Sequence, residues 1–216
     1  MQQLIEFLRE ELQKELPHSN IYNENLPDKL VQFIIAAEKA AKVQFAKKPP
    51  RICAVMIALY EEDGEVYLPM MLRPTNSRAH PGQIAFPGGK AEEEDIDLIE
   101  TAVREMEEEI GVWVNRENII GELSPVYIPP SNALVTPIVG FLESKPKYIP
   151  DPAEVAEVFA VRLDDLLNPD NISFKKVILA SGEYIQMPAY HANGKVIWGG
   201  TARMISELVK MVTLLV

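Results

Sequence analysis

The chain has 216 residues, 47% hydrophobic and 25% charged, with a formal net charge of −11 at pH 7. That composition belongs to a folded globular protein rather than a disordered segment, and the acidic balance argues against nucleic-acid binding through the phosphate backbone. A lone cysteine, Cys53, excludes an intrachain disulfide. No apolar run approaches the ~20 residues that span a bilayer, and no basic-then-apolar leader opens the chain. A cytoplasmic protein with neither membrane nor nucleic-acid partner is expected.

Leu4, Ile5, Leu8, Leu12 and Leu16 recur at helical spacing, predicting a helix over 2–16 that Pro17 ends. A second helical pattern runs over about 27–43 and is closed by Pro49-Pro50. Residues 1–49 therefore read as an N-terminal helical extension ahead of a main domain over 50–216. There the texture changes: a strand over 51–60, a turn at Glu62-Asp63-Gly64-Glu65, and a returning strand over 66–72. Cys53 reads as a small buried hydrophobe in the first of these strands. A helix is expected over 98–110, with further strands over 119–126, 135–141, 157–162 and 175–180, and a last helix over 201–215. The mixture is an α+β pattern without internal repeats. The apolar end of the chain, 209–216, reads as the buried face of the last helix, with a homodimer contact as the alternative.

The stretch that carries chemistry begins Phe86-Pro87-Gly88-Gly89-Lys90-Ala91 and continues, after an acidic loop, into the 98–110 helix. At 100° per residue, Ile99, Ala102, Val103, Met106 and Ile110 share a face that must pack on a sheet. Glu105, Glu108 and Glu109 stand at i, i+3 and i+4 on an adjacent face, and Glu100 and Glu107 point to solvent. Clustered glutamates commonly mark nothing more than a solvated face. Here like charges repel at i, i+4, and carboxylates in the last turn oppose the helix dipole. No lysine or arginine lies four residues downstream to relieve them. A divalent cation would, since hard cations take carboxylate and carbonyl oxygens and also bind phosphates. Gly88-Gly89 supplies backbone that can bring a carbonyl to a metal or an amide N–H to a phosphate.

Arg104-Glu105-Met106-x-Glu108-Glu109-x-Gly111-Val112 is similar to the second half of the Nudix box. In that box a glycine is followed by a glutamate, then by Arg-Glu-apolar-x-Glu-Glu-x-Gly-apolar. The first half departs, because the interval from Gly89 to Arg104 is one residue longer than usual. Ile96 stands where the count back from Arg104 expects the glutamate, and Asp95 stands in for it when the count runs forward from Gly89. The resemblance implies a Nudix fold, a mixed β-sheet between helices in an α/β/α sandwich, and attack by water on a diphosphate linkage. It also implies that Glu105, Glu108 and Glu109, with the Gly88 carbonyl, hold Mg²⁺ or Mn²⁺. Gly89 would face the substrate, and Arg104 would orient a glutamate. Glu105 is the expected general base, with Glu154 as an alternative.

Upstream, Arg73, Arg78 and Gly82 precede Phe86-Pro87-Gly88-Gly89 at intervals similar to those of the coenzyme A pyrophosphatase branch of that family. Val135-Thr136-Pro137, Glu154-Val155-x-x-Val158-Phe159 and Trp198-Gly199-x-Thr201-Ala202 also resemble it. The branch's Leu-Leu-Thr is here Pro69-Met70-Met71, and its serine is Pro74. The implied reaction converts coenzyme A or a derivative, a small-molecule nucleotide diphosphate, to 3′,5′-ADP and 4′-phosphopantetheine, with Arg73 and Arg78 gripping phosphate. Hydrolysis of ADP-ribose, a dinucleotide or a nucleoside triphosphate is the alternative within the class. A non-catalytic nucleotide-sensing module is the alternative outside it.

Overall fold

The apolar run from Ile52 to Tyr60 is too continuous for a strand with one wet face. In the computed structural model it is the central strand of a sheet, β1 (Arg51–Glu62), wholly buried from Met56 to Tyr60 because helices cover both faces. The structure describes residues 1–14, 48–77, 80–178, 182 and 184–215. The helix expected over 27–43, Leu16 and Arg78 all lie outside the described residues.

Asp63 and Gly64 take left-handed conformations, φ 53° and 81°, and fold β1 back into β2 (Glu65–Leu72) as an Asp-Gly turn should. Along one edge β1 runs parallel to β7 (Ala133–Phe141). Its other edge is shared by β2, near the hairpin, and by β4 (Gly88–Lys90), farther back. β5 (Ile119–Glu122) and β6 (Val126–Ile128) follow one another along the far side of β7. β3 (Ile84–Ala85) and β8 (Glu157–Arg162) flank β2. The sheet is mixed, with one parallel pair among antiparallel ones.

Four α-helices are described: α1 (Gln2–Leu12), α2 (Leu98–Ile110), the short α3 (Leu163–Leu167) and α4 (Gly200–Val212). On one face of the sheet Ala102, Val103, Met106 and Ile110 of α2 pack against Ala54, Met56, Ala58 and Ile138. On the other face α1 and α4 contribute Leu4, Leu8, Met204, Ile205, Leu208 and Met211 to a cluster with Ile57, Leu59 and Val139. This is the α/β/α sandwich expected of the sequence. Leu8 is 0% exposed within that shared core, so α1 is integral to the packing of the main sheet.

Several boundaries differ from the sequence expectation. The strand expected over 119–126 is two strands, because Pro125 has no N–H and the Ser124 N–H donates to Glu207 Oε1 at 2.9 Å instead of to a neighbouring strand. The first helix stops at Leu12, and the last stops at Val212 and finishes in turns. A three-stranded antiparallel sheet, β9 (Ile172–Ile178), β10 (Tyr184–Ala192) and β11 (Lys195–Trp198), is almost wholly new, since only part of β9 was expected. Its hairpin signal was present: Asn193-Gly194 adopts φ 52° and 66°, the pattern of a two-residue turn. Pro188 inside β10 interrupts the alternation that would have announced the strand.

Replacing Leu8 with Ala empties a site on the sheet's inner face. It is expected to lower unfolding free energy by about 2–5 kcal/mol. The exposed neighbour replacement Gln3→Ala should leave urea-denaturation midpoints within experimental scatter of the unsubstituted chain.

Candidate active site

α2 starts cleanly because its first turn is capped in both directions. The Asp97 carboxylate accepts the Glu100 N–H at 2.9 Å, and the Glu100 carboxylate accepts the Ile96 N–H at 2.6 Å. Glu100 is therefore not a free solvent charge, as its helical position suggested, but a partner of the entering backbone. Glu107 is exposed as expected. The helix ends at Gly111 in a left-handed conformation, φ 70°.

Arg104 is the hub of the acidic face. Its Nε donates to Asp95 Oδ1 at 2.9 Å and its Nη2 to Asp95 Oδ2 at 3.0 Å, a bidentate pair. Its Nη1 reaches Glu105 Oε1 at 3.1 Å and Glu108 Oε2 at 3.0 Å, and Nη2 also donates to the Lys90 carbonyl. Arg104 holds the Asp95 carboxyl well below the usual carboxylate range, helped by hydrogen bonds from the Glu92 N–H and the Thr101 hydroxyl. The lengthened loop thus places Asp95 against Arg104, while Ile96 is 84% exposed. The acidic cluster is also not uncompensated: the cation that relieves Glu108 lies four residues upstream, not downstream.

Glu109 is the buried member, 2% exposed. Its Oε2 accepts the Gly88 N–H at 2.7 Å, and Arg73 Nη2 lies 3.6 Å from its Oε1. The same Arg73 donates to the Gly88 carbonyl at 3.3 Å. Gly88 is required by clearance, because a Cβ there would run into the backbone of Ala54 and Val55, whereas one on Gly89 would displace the Glu105 carboxyl from its place. Burial is the main influence on Glu109 and pushes its carboxyl up to about 8, against the pull of Arg73 and the Gly88 N–H. Glu105 is likewise raised, first by burial and then by its acidic neighbours Glu108 and Glu154, though Arg104 opposes this.

The three glutamates do not converge on one point as their spacing suggested. Among the described residues no three acidic, imidazole or thiol groups form a ready-made metal shell. The reason is local, since Glu108 is drawn to Arg104 and Glu109 to the Gly88 N–H. The residues nevertheless fit a hard divalent cation in chemistry. Glu105 and Glu109 offer oxygen donors beside Gly88 and Gly89, and both are under-neutralised where they sit. The Gly88 carbonyl, expected as a metal ligand, here accepts from Arg73. Arg73, expected to grip phosphate, is directed inward and braces Glu109.

Arg73, Gly88, Gly89, Arg104, Glu105, Glu108 and Glu109 all line one cleft of about 1190 Å³. Arg78 lies outside the described residues. The cleft's walls come from the β6–β7 loop, the C-terminal sheet and α4, including Pro129, Trp198 and Met204. Trp198 serves as wall, with Lys175 4.2 Å from its ring centroid. The Thr201 hydroxyl donates to the Ile84 carbonyl at 3.0 Å, pinning α4 to the strand that precedes Phe86. Cys53 is only partly buried and also lines the cleft. His80, another lining residue, is pushed down by burial and then by Arg73, which favours its neutral form.

Glu154 enters the cleft from a strap tied to the last turn of α2. Ile149 N–H donates to the Ile110 carbonyl at 2.8 Å, and Asp151 N–H to the Glu109 carbonyl at 2.9 Å. Sequence reasoning missed the basic residues Arg51, Lys90, Arg203 and Lys210, which line the cleft as well. Lys90 follows Gly89 directly and could have been found. The others come from distant parts of the chain and carry no local signal.

The chain is 38% identical over 129 residues to the peroxisomal coenzyme A diphosphatase of Mus musculus, covering 60% of this chain and 54% of that protein. It is 33% identical over 155 residues to the mitochondrial coenzyme A diphosphatase of Homo sapiens, covering 71% of this chain and 66% of that one. The match thus spans about half the length of the mouse relative. Among solved structures, a MutT/nudix family protein from Enterococcus faecalis superposes with a TM-score of 0.56 at 16% identity, covering 88% of this chain and 76% of that one. That likeness concerns the fold alone. The NUDIX domain profile matches residues 50–181, which include β1, the capped glutamate helix and Glu154, and the chain belongs to the Nudix family.

Proposed function

We propose that the chain hydrolyses the diphosphate linkage of coenzyme A or a derivative to 3′,5′-ADP and 4′-phosphopantetheine, using Mg²⁺ or Mn²⁺. The observation that carries the reading is the pairing of under-neutralised Glu105 and Glu109 with Gly88-Gly89, inside a cleft also lined by Arg51, Arg73 and Lys90. Nudix hydrolases generally use divalent metal ions. Two relatives named as coenzyme A diphosphatases support the choice of substrate. So does the interval from Arg73 through Gly82 to Gly89.

In this reading Glu105 and Glu109 would hold the cation, joined by Glu108 and the Gly88 carbonyl once these give up Arg104 and Arg73. When bound, a divalent ion neutralises diphosphate charge and lowers the pKa of coordinated water. Water attacks one phosphorus, the bridging P–O bond breaks, and the other phosphate leaves with the bonding electrons. Glu105 takes the proton of the attacking water. Burial raises its proton affinity, which suits a general base. Glu154 faces the same cleft from the strap and is the alternative base. Arg104, clamped by Asp95, fixes the Glu105 and Glu108 carboxylates. Arg73 holds Glu109 in place and retains further N–H groups for a phosphate oxygen. Lys90 and Gly89 meet the substrate beside it.

A substrate panel tests the reaction directly. Coenzyme A with Mn²⁺ or Mg²⁺ should release 3′,5′-ADP. Cleavage of ADP-ribose or a nucleoside triphosphate while coenzyme A stays intact would overturn the choice of substrate.

Glu105→Gln should lower kcat by about 10²–10⁴-fold, the usual range for a general base, with an unchanged circular-dichroism spectrum. If Glu154→Gln collapses turnover and Glu105→Gln does not, the base is Glu154. Asp95→Asn, which leaves Arg104 without its bidentate partner, should cost about 10–100-fold in metal affinity or turnover, as loss of an outer-shell partner typically does. Metal titrations of activity would read this, and an unaltered titration curve would show that Arg104 needs no such anchor.

A further inference from the structure

The strap that brings Glu154 to the cleft is fixed at both ends. Ile149 and Asp151 each precede a proline, which favours extended backbone at both. Their N–H groups donate to the Ile110 and Glu109 carbonyls at 2.8 and 2.9 Å, laying the strap against the last turn of α2. Gly111 makes room for it, because a Cβ there would come within 2.7 Å of the Ile149 Cβ. At the far end the Ala156 N–H donates to the Leu72 carbonyl at 2.9 Å, next to Arg73.

Asp151-Pro152-Ala153-Glu154 has the residues of a helix start: a capping Asp, Pro at the first position and Glu at the third. A single turn forms. The Asp151 carboxylate accepts the Ala153 N–H at 2.8 Å, and the Asp151 carbonyl accepts the N–H groups of Glu154 and Val155 at 3.1 and 2.9 Å. In a complete capping box the Glu carboxylate would turn back to the N–H of the capping residue. Here that N–H is given to the Glu109 carbonyl, and Glu154 lines the cleft instead. Its charge is felt there: after burial, the main cause, Glu154 is among the neighbours that raise Glu105 and Glu109.

We propose that Asp151 is a positioning residue that holds Glu154 within electrostatic reach of Glu105 and Glu109, so that the three carboxylates attract the cation together. The inference rests on the reading of Glu105 and Glu109 as cation ligands and does not depend on the substrate. The route is short. The Glu109 carbonyl holds the Asp151 N–H and the Asp151 carbonyl holds the Glu154 N–H, so one residue spans the two. Glu154 is exposed, and its pull on a cation fades with distance and with intervening water unless its backbone is held in place.

Mn²⁺ binding to the whole chain, read from the electron paramagnetic resonance of the free ion, tests this without turnover. Glu154→Gln should weaken Mn²⁺ by about tenfold and Asp151→Ala by a similar factor, at the lower end of what lost outer-shell partners cost. The double variant should bind no more weakly than Glu154→Gln alone, because Asp151 acts through Glu154. Asp151→Asn keeps the side-chain acceptor and should stay close to the unsubstituted chain. Asp151 is exposed, so these variants should keep the circular-dichroism spectrum and melting temperature. If Asp151→Ala melts early, Asp151→Gln, polar but too long for this cap, repeats the test. Losses that multiply in the double variant overturn the proposal, and so does Mn²⁺ binding that the Asp151 change leaves unaltered. Coenzyme A cleavage is read separately: the expected binding pattern without cleavage removes the substrate and leaves Asp151 in its role, and cleavage with multiplying losses does the reverse.

Discussion

One hydrogen bond fastens the site to the fold: the Gly88 N–H donating to the buried Glu109 carboxylate at 2.7 Å. It joins α2 to β4 at the point where β4 lies against β1 without room for a side chain. Burying a carboxylate is costly unless it is paired, and among the described residues its partners are a backbone N–H and a guanidinium 3.6 Å away. The result is a helix held in a fixed place on the sheet by a group that is still short of positive charge. Stability and chemistry meet in that residue, because what steadies the helix also leaves the carboxylate receptive to a cation.

The surrounding carboxylates are sorted by their partners. Glu100 is spent on the helix start, Glu108 on Arg104, and Asp95 on the other edge of the same guanidinium. Glu105, which shares Arg104 and lies against Gly89, and Glu109 are the carboxylates that burial raises. Arg104 thus does more than relieve repulsion. By taking Asp95, Glu105 and Glu108 on one planar fork it leaves Glu109 without a share of its charge, while burial still raises Glu105.

Much of this was legible in the sequence because it is local. The bounds of α2 follow from Asp97, the apolar stripe and Gly111, and the β1–β2 hairpin from Asp63-Gly64. Asp95 could be counted out along the loop as the stand-in for the box glutamate, with Ile96 competing for the place, but its bidentate pairing with Arg104 could not. What resisted reading is long-range. That Arg73 would turn inward to Glu109, rather than outward to solvent, depends on a strand pairing that no local pattern encodes. Likewise Glu207, buried at 1% exposure, breaks one expected strand in two by capturing the Ser124 N–H from far along the chain. The C-terminal sheet was missed because Pro188 broke the alternation of β10, even though Asn193-Gly194 announced its hairpin.

The cleft also reconciles an apparent conflict between charge and ligand. A net charge of −11 would repel an anionic substrate if charge acted as a whole. It does not, because exposed charges more than ~8–10 Å apart are largely screened at physiological ionic strength. What the proposed diphosphate would meet is the cleft lining, where Arg51, Arg73 and Lys90 come together from β1, the end of β2 and β4. These cations are brought together by pairings of β1 and β2 that also build the core. An acidic chain is therefore compatible with the anionic substrate proposed above, because these cations stand among the glutamates of the cleft. A fold that lost the β4 pairing would lose Lys90 from the lining and the Gly88 contact to Glu109 in one step.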